Sequence, residues 1–205
     1  MTDSLRLNVN GRAHDVVVPP NTTLLTALRD LGYTDVKNGC EIGECGACAV
    51  LLNGEAVNSC MVLAHQADGA EIVTNAGLGT MKDPHPIQEA FADAGAIQCG
   101  FCTPGMVIST KALLDRNPDP SEAEIREALS GNLCRCTGYG QIVAGVRLAA
   151  ERLRQSASSP ASSLAKGSSA SEDGREAAAA GLRPLTGERQ GVLKGDDEAE
   201  VGDRA

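Results

Sequence analysis

Aromatic residues are nearly missing from this 205-residue sequence: it has no Trp, and Tyr33, Phe91, Phe101 and Tyr139 are its only Phe and Tyr. Aromatic side chains supply the largest units of buried apolar area, so a small domain here must find part of its stability elsewhere. Long apolar runs are missing too. The longest, residues 47–52, falls far short of the roughly 18 needed to span a bilayer, and the opening MTDSLRLNVNG carries neither a twin-Arg nor a charged-then-apolar leader pattern. Positive charge is scarce, with 18 Lys and Arg against 27 Asp and Glu, a net charge of −9 and no basic cluster. That excludes a phosphate backbone or an anionic membrane surface as partner, because both require Lys/Arg neutralisation. The three histidines, His14, His65 and His85, are scattered, and no nucleophile stands beside a general base. The expectation is a soluble, cytoplasmic protein with no substrate site of its own, binding neither nucleic acid nor membrane.

What is present divides unevenly along the chain. Residues 156–205 hold eight Ser, many Ala, Gly and Pro, nine acids against six bases, and no aromatic or Cys. Such a segment buries too little apolar area to offset its ordering entropy and reads as a disordered or extended C-terminal tail. Residues 3–80 read as strands with one helix. Leu5, Leu7 and Val9 alternate with polar residues, Asn10-Gly11 follows, and the pattern resumes to Val18, which is a two-residue hairpin signal. Asn21 or Thr22 is expected to cap a helix carrying Leu24, Leu25, Leu28 and Leu31 and closed by Gly32. Asn53-Gly54 marks a second hairpin, and residues 71–74 a last short strand. The sum is a small mixed sheet with one helix on it. Residues 81–155 change to helical spacing. Helices are expected over 84–94, from a Thr103-Pro104 cap towards Arg116, after a Ser121/Glu124 capping box, and along the stripe Ile142, Val146, Ala149 and Leu153. Four short helices in about 70 residues imply a compact bundle.

Cysteine is the abundant exception, and all eight lie between residues 40 and 136 in two groups of four. Disulfides suit secreted scaffolds, and no secretion signal is seen. Zinc sites usually take two closely spaced pairs, which neither group shows. The first group, Cys40, Cys45, Cys48 and Cys60, instead has the four-then-two spacing with a distant fourth cysteine that plant-type ferredoxins use to hold a 2Fe–2S cluster. Gly43, Gly46 and Ala47 let the loop wrap closely around an inorganic core, so that backbone N–H groups can face the sulfurs and tune the potential. Glu41 and Glu44 are expected to face solvent. The second group places Cys99 and Cys102 just ahead of a helix N-terminus, whose dipole favours an anionic cluster, and Cys134 and Cys136 in the turn before the last helix. Arg135, between two of them, is placed to offset cluster charge.

The segments CEIGECGACAVLLNGEAVNSC, QCGFCTPGM and GNLCRCTGYGQI, in that order, resemble the small iron–sulfur subunit of the molybdenum hydroxylases, the xanthine dehydrogenase and aldehyde oxidase family. The resemblance covers residues 3–155. It implies an α+β chain with an N-terminal β-grasp, plant-type ferredoxin-like domain (3–80) and an all-α four-helix-bundle domain (81–155), ahead of the low-complexity tail (156–205). It implies one 2Fe–2S cluster on Cys40, Cys45, Cys48 and Cys60, nearer a flavin, and one on Cys99, Cys102, Cys134 and Cys136, nearer molybdenum. Gln98 matches the glutamine that hydrogen-bonds the pterin, and Cys136 and Gly138 fall where the backbone approaches it. The implied partners are a large subunit with a molybdopterin-type molybdenum cofactor and a medium subunit with FAD, in a dimer of heterotrimers. The chain then carries electrons from molybdenum to flavin. KNGCEIGECGAC and VNSC look more like the purine-oxidising members than the carbon monoxide or aldehyde members, so xanthine or hypoxanthine is the expected substrate, with other N-heterocycles, aldehydes and carbon monoxide as alternatives. A free-standing two-cluster ferredoxin is the competing role, and a zinc-stapled interaction module a third.

Overall fold

The computed structural model describes residues 3–158. Its elements run β1 (Asp3–Val9), β2 (Arg12–Val18), α1 (Leu24–Asp30), β3 (Ala49–Leu52), β4 (Glu55–Asn58), β5 (Glu71–Val73), α2 (Asn75–Leu78), α3 (Pro86–Asp93), α4 (Thr103–Arg116), α5 (Glu122–Ala128) and α6 (Gly140–Ser158), with 3₁₀ turns at Ser59–Met61 and Ala64–Ala67. An α+β architecture, mixed sheet plus helices, is therefore present. The first three residues of the expected tail, 156–158, continue α6; the remainder of the tail lies outside the described residues.

The sheet has strand order β2-β1-β5-β3-β4. Strand β5 runs parallel to β1, and the other neighbouring pairs are antiparallel. Both hairpins close as Asn-Gly predicts. Val9 pairs with Arg12 and Leu52 with Glu55, while Asn10 (φ 52°), Gly11 (φ 75°), Asn53 (φ 50°) and Gly54 (φ 88°) take the left-handed conformation that a two-residue turn needs to match strand twist. Alternation sends Leu5, Leu7, Val9, Val16 and Val18 to one face, where they bury against Leu24, Leu25 and Leu28 of α1. A second core gathers around Phe91, with Ile87, Met106, Val107, Ile125, Ile142 and Val146.

The two cores meet at β3. Val50 faces the first, whereas Ala49 and Leu51 on the opposite face bury against Ile108 and Ala112 of α4. A strand covered on both faces cannot alternate, which explains why residues 47–52 form the longest apolar run of the sequence.

Three expectations shift. Thr23, not Asn21 or Thr22, caps α1, its Oγ1 accepting from the Thr26 N–H at 3.2 Å. Thr22 is committed elsewhere, since its carbonyl accepts the Ala64 N–H at 2.9 Å. Helix α4 is capped by Cys102, without a side-chain bond, and Thr103 is already helical. The single turn α2 after β5 is an addition; the Thr74 N–H that precedes it is taken up by Asn10 Oδ1 at 2.8 Å, tying the first hairpin tip to the end of β5.

Candidate metal centres

The loop at residues 40–48 has no regular structure, because it winds: Glu41, Gly43 and Gly46 all have positive φ. The winding points N–H groups inward. Those of Ile42, Cys45 and Glu44 donate to the Cys40 sulfur, that of Ala47 to Cys45, and that of Gly43 to Cys60. Cys60 arrives from the 3₁₀ turn after β4. Ser59 and Asn58 fix the approach, Ser59 Oγ donating to the Cys48 carbonyl at 2.8 Å and Asn58 Nδ2 to the Gly43 carbonyl at 2.9 Å. Glu41 and Glu44 are exposed, as expected.

In the second group the Phe101 N–H donates to the Cys99 sulfur, and those of Thr137 and Cys136 donate to Cys134. The Thr137 hydroxyl also sits 3.2 Å from Cys134 Sγ. Tyr139, at φ 68°, clamps this turn: its hydroxyl accepts the Cys134 N–H at 2.9 Å and donates to the Asn132 carbonyl at 2.9 Å.

The eight thiols stand in four side-chain contacts: Cys40 with Cys45, Cys48 with Cys60, Cys99 with Cys136, and Cys102 with Cys134. The Cys99 and Cys136 sulfurs are 3.6 Å apart. A metal holding two thiolates tetrahedrally at about 2.3 Å each separates them by roughly 3.8 Å. Two thiols per pair and two pairs per group is the division that a 2Fe–2S cluster requires, each iron taking two cysteines. The residues present fit that group.

The environments within each group are unequal. Backbone hydrogen bonds, first from Ile42, lower the Cys40 thiol to about 7, and burial raises Cys60 to about 11. Burial also raises Cys102 to about 12. It works against Cys134 as well, but hydrogen bonds from Thr137, Cys136 and Cys102 together outweigh it and leave that thiol at about 7. Thiolate-stabilising dipoles are thus built into both loops, where they favour bound metal.

Gln98, Cys99, Cys136 and Gly138 are all exposed, on the side of the second group where Cys99 and Cys136 meet. The Gln98 side chain makes no hydrogen bond within the described residues, and Arg135 is likewise exposed and in no ion pair among them. The histidines hold structure. His14 Nε2 meets the Tyr33 hydroxyl at 2.9 Å, and His85 Nδ1 accepts the Ile87 N–H at 3.2 Å to cap α3. His65 lies in the turn Ala64–Ala67.

One contact was not foreseen from the sequence. The Leu133 N–H donates to the Cys45 carbonyl at 2.9 Å, and Asn132 Nδ2 donates to the Gly46 carbonyl at 3.1 Å, so the two cysteine loops touch. The approach is close enough that a Cβ on Gly105 would lie 2.2 Å from the Gly46 carbonyl oxygen, and one on Gly46 itself 2.4 Å from that of Gly131. No sequence signal marks this contact, because Asn132 reads as an ordinary turn residue.

A family model described as "2Fe-2S iron-sulfur cluster binding domain" matches residues 7–76, and one described as "[2Fe-2S] binding domain" matches 74–147. The nicotinate dehydrogenase small FeS subunit of Eubacterium barkeri is 54% identical over 150 residues, covering 73% of this chain and 96% of that protein. The chain belongs to the small iron–sulfur subunits of the molybdenum hydroxylases. This small subunit is also similar to the xanthine dehydrogenase iron-sulfur-binding subunit of Escherichia coli O157:H7, at 45% identity over 144 residues, covering 69% of this chain and 91% of that one. The crystal structure of quinoline 2-oxidoreductase from Pseudomonas putida 86 superposes with a TM-score of 0.72 at 41% identity, over 75% of this chain and 97% of that one. Other relatives, at 40–41% identity, are named aldehyde oxidoreductase iron-sulfur-binding subunits. As a small subunit of this family the chain carries two 2Fe–2S centres. No helix among the described residues is long and apolar enough to cross a membrane.

Proposed function

We propose that the subunit conducts electrons between a molybdenum centre on a large partner and FAD on a medium partner, through clusters held by Cys40, Cys45, Cys48 and Cys60 and by Cys99, Cys102, Cys134 and Cys136. The observation that carries this is the pairing of the eight thiols two by two in each group. A 2Fe–2S cluster supplies one-electron storage; the protein sets its potential through hydrogen bonds to sulfur and through solvent access. Residues 3–80 form the β-grasp unit and 81–155 the helical unit. The exposed edge with Gln98, Cys99, Cys136 and Gly138 faces the molybdopterin-type cofactor, where the free Gln98 carboxamide offers both a donor and an acceptor to a pterin ring. The opposite group opens beside exposed Ile42 and Met61, apolar side chains suited to a permanent subunit contact on the flavin side. The assembly is a dimer of heterotrimers.

The substrate class we propose is a nitrogen heteroaromatic ring, purines such as xanthine or hypoxanthine included; relatives named for nicotinate, xanthine and quinoline support it. The test is the native complex assayed with a dye acceptor against purines, pyridine carboxylates, aldehydes and carbon monoxide. Turnover of an aldehyde or carbon monoxide alone would overturn the substrate class. Cys45→Ser and Cys102→Ser should each remove a different one of two EPR signals; loss of the same signal from both would overturn the ligand assignment.

A further inference from the structure

Asn132 is 4% exposed, and all four of its hydrogen-bonding atoms are used. Its Nδ2 donates to the Gly46 carbonyl at 3.1 Å, and its Oδ1 accepts from Ser109 Oγ at 2.8 Å. Its backbone N–H donates to the Leu129 carbonyl at 2.9 Å, and its carbonyl accepts from the Tyr139 hydroxyl at 2.9 Å. One residue thus joins four elements: its side chain bridges α4 and the loop of the first cysteine group, and its backbone meets the end of α5 and the Tyr139 clamp. The next residue, Leu133, donates to the Cys45 carbonyl, and the one after it is Cys134. A single hydrogen bond therefore stands between a backbone that carries one cysteine group and a backbone that carries the other.

We infer that Asn132 is a positioning residue: its carboxamide holds the two cysteine loops in register across the Leu133–Cys45 hydrogen bond, and so sets the separation across which electrons pass between the clusters. This rests on the two-cluster reading above. Each passage oxidises one cluster by one electron and reduces the other by one, with no proton required. Chemistry explains the choice of Asn over its isosteres. Asp would turn a carboxylate oxygen towards the Gly46 carbonyl, and Leu would leave both that carbonyl and the Ser109 hydroxyl without a partner in a buried place. Ser109 acts through Asn132, fixing which end of the amide faces Gly46.

The test uses the full chain in its complex, reduced with dithionite, with iron analysis, EPR and amide hydrogen exchange by mass spectrometry. The wild type should hold about four irons per chain and show two signals with magnetic splitting between the clusters. Asn132→Asp should keep both signals at full intensity while the splitting narrows, and exchange should quicken in the peptide containing Leu133 but not in β1 or β2. Ser109→Ala should move both readouts in the same direction by less. A merely structural role would lower cluster content without changing the splitting of the clusters that remain. Unchanged splitting and exchange in Asn132→Asp overturn the inference. If that variant does not accumulate, the same unchanged result in Ser109→Ala does so. Fewer than two signals in the wild type would instead overturn the two-cluster reading itself.

Discussion

Replacing Gly105 by Ala tests whether the junction of the two cysteine loops is as tight as its geometry requires. The added Cβ would lie 2.2 Å from the Gly46 carbonyl oxygen. An ordinary carbon–oxygen contact is about 3.3 Å, so the loops must part by roughly 1 Å. Neither side has a flexible end that can yield, since one is a helix backbone and the other a winding loop. Parting would stretch the Leu133–Cys45 and Asn132–Gly46 bonds, now 2.9 and 3.1 Å, beyond hydrogen-bonding length. Overpacking of this kind costs about 1–3 kcal/mol, and each buried bond lost adds about 1. Ala recovers about 1 kcal/mol through its better helix propensity, which leaves a net destabilisation of roughly 2–4 kcal/mol. Gly140→Ala is the control. It too lies in the first turn of a helix, yet nothing lies within 4 Å of its added Cβ, and it should be neutral or slightly stabilising. Thermal unfolding of both variants, followed by cluster absorbance and far-ultraviolet dichroism, makes the comparison. Gly105→Ala as stable as Gly140→Ala would show that the junction is not closed at Gly46.

Other outcomes follow from the same contacts. Ile108→Ala empties a fully buried position between α4 and β3 and should cost about 2–5 kcal/mol by denaturant titration, whereas a cost below 1 would mean that the junction core is not closed. Burial, and next the charge of Lys111, lowers the His85 pKa below its ordinary 6.5, and its Nδ1 must stay unprotonated to accept the Ile87 N–H. The unfolded chain then takes up the proton at higher pH than the folded one, so this contribution is complete above about 6.5 and is lost as pH falls through the folded value. Wild type should lose more melting temperature between pH 7.5 and 5.5 than His85→Asn, which caps without titrating, and equal losses would count against the assignment. Tyr139→Phe removes both bonds of its hydroxyl and should cost about 1–3 kcal/mol while shifting the signal of the cluster we assign to Cys134 but not that of the other.

Features that depend on near neighbours are legible in the residues alone. Asn10-Gly11 and Asn53-Gly54 dictate two hairpins because few other residues enter the left-handed region so readily, and Ser121 with Glu124 forms its capping box within four residues. The spacing of the first four cysteines likewise pointed to a 2Fe–2S centre, since cluster geometry constrains how far apart along a loop its ligands stand.

Features that depend on partners distant in the chain emerge only once the chain is folded. Thr23 rather than Thr22 caps α1 because the helix begins at Leu24, where the Leu24 N–H is taken by the Val62 carbonyl and the Thr22 carbonyl by Ala64, both about forty residues on. The pairing of Cys99 with Cys136 and of Cys102 with Cys134 follows from how two turns face each other, which no spacing encodes. Asn132 looks like an ordinary turn residue in the sequence and becomes a structural joint only when Gly46, 86 residues earlier, arrives beside it. Even the scarcity of aromatics has a tertiary counterpart. The junction between the halves is built from Ala49, Leu51, Ile108 and Ala112, small and aliphatic side chains that let β3 and α4 pack closely and bring two cysteine loops within one hydrogen bond of each other.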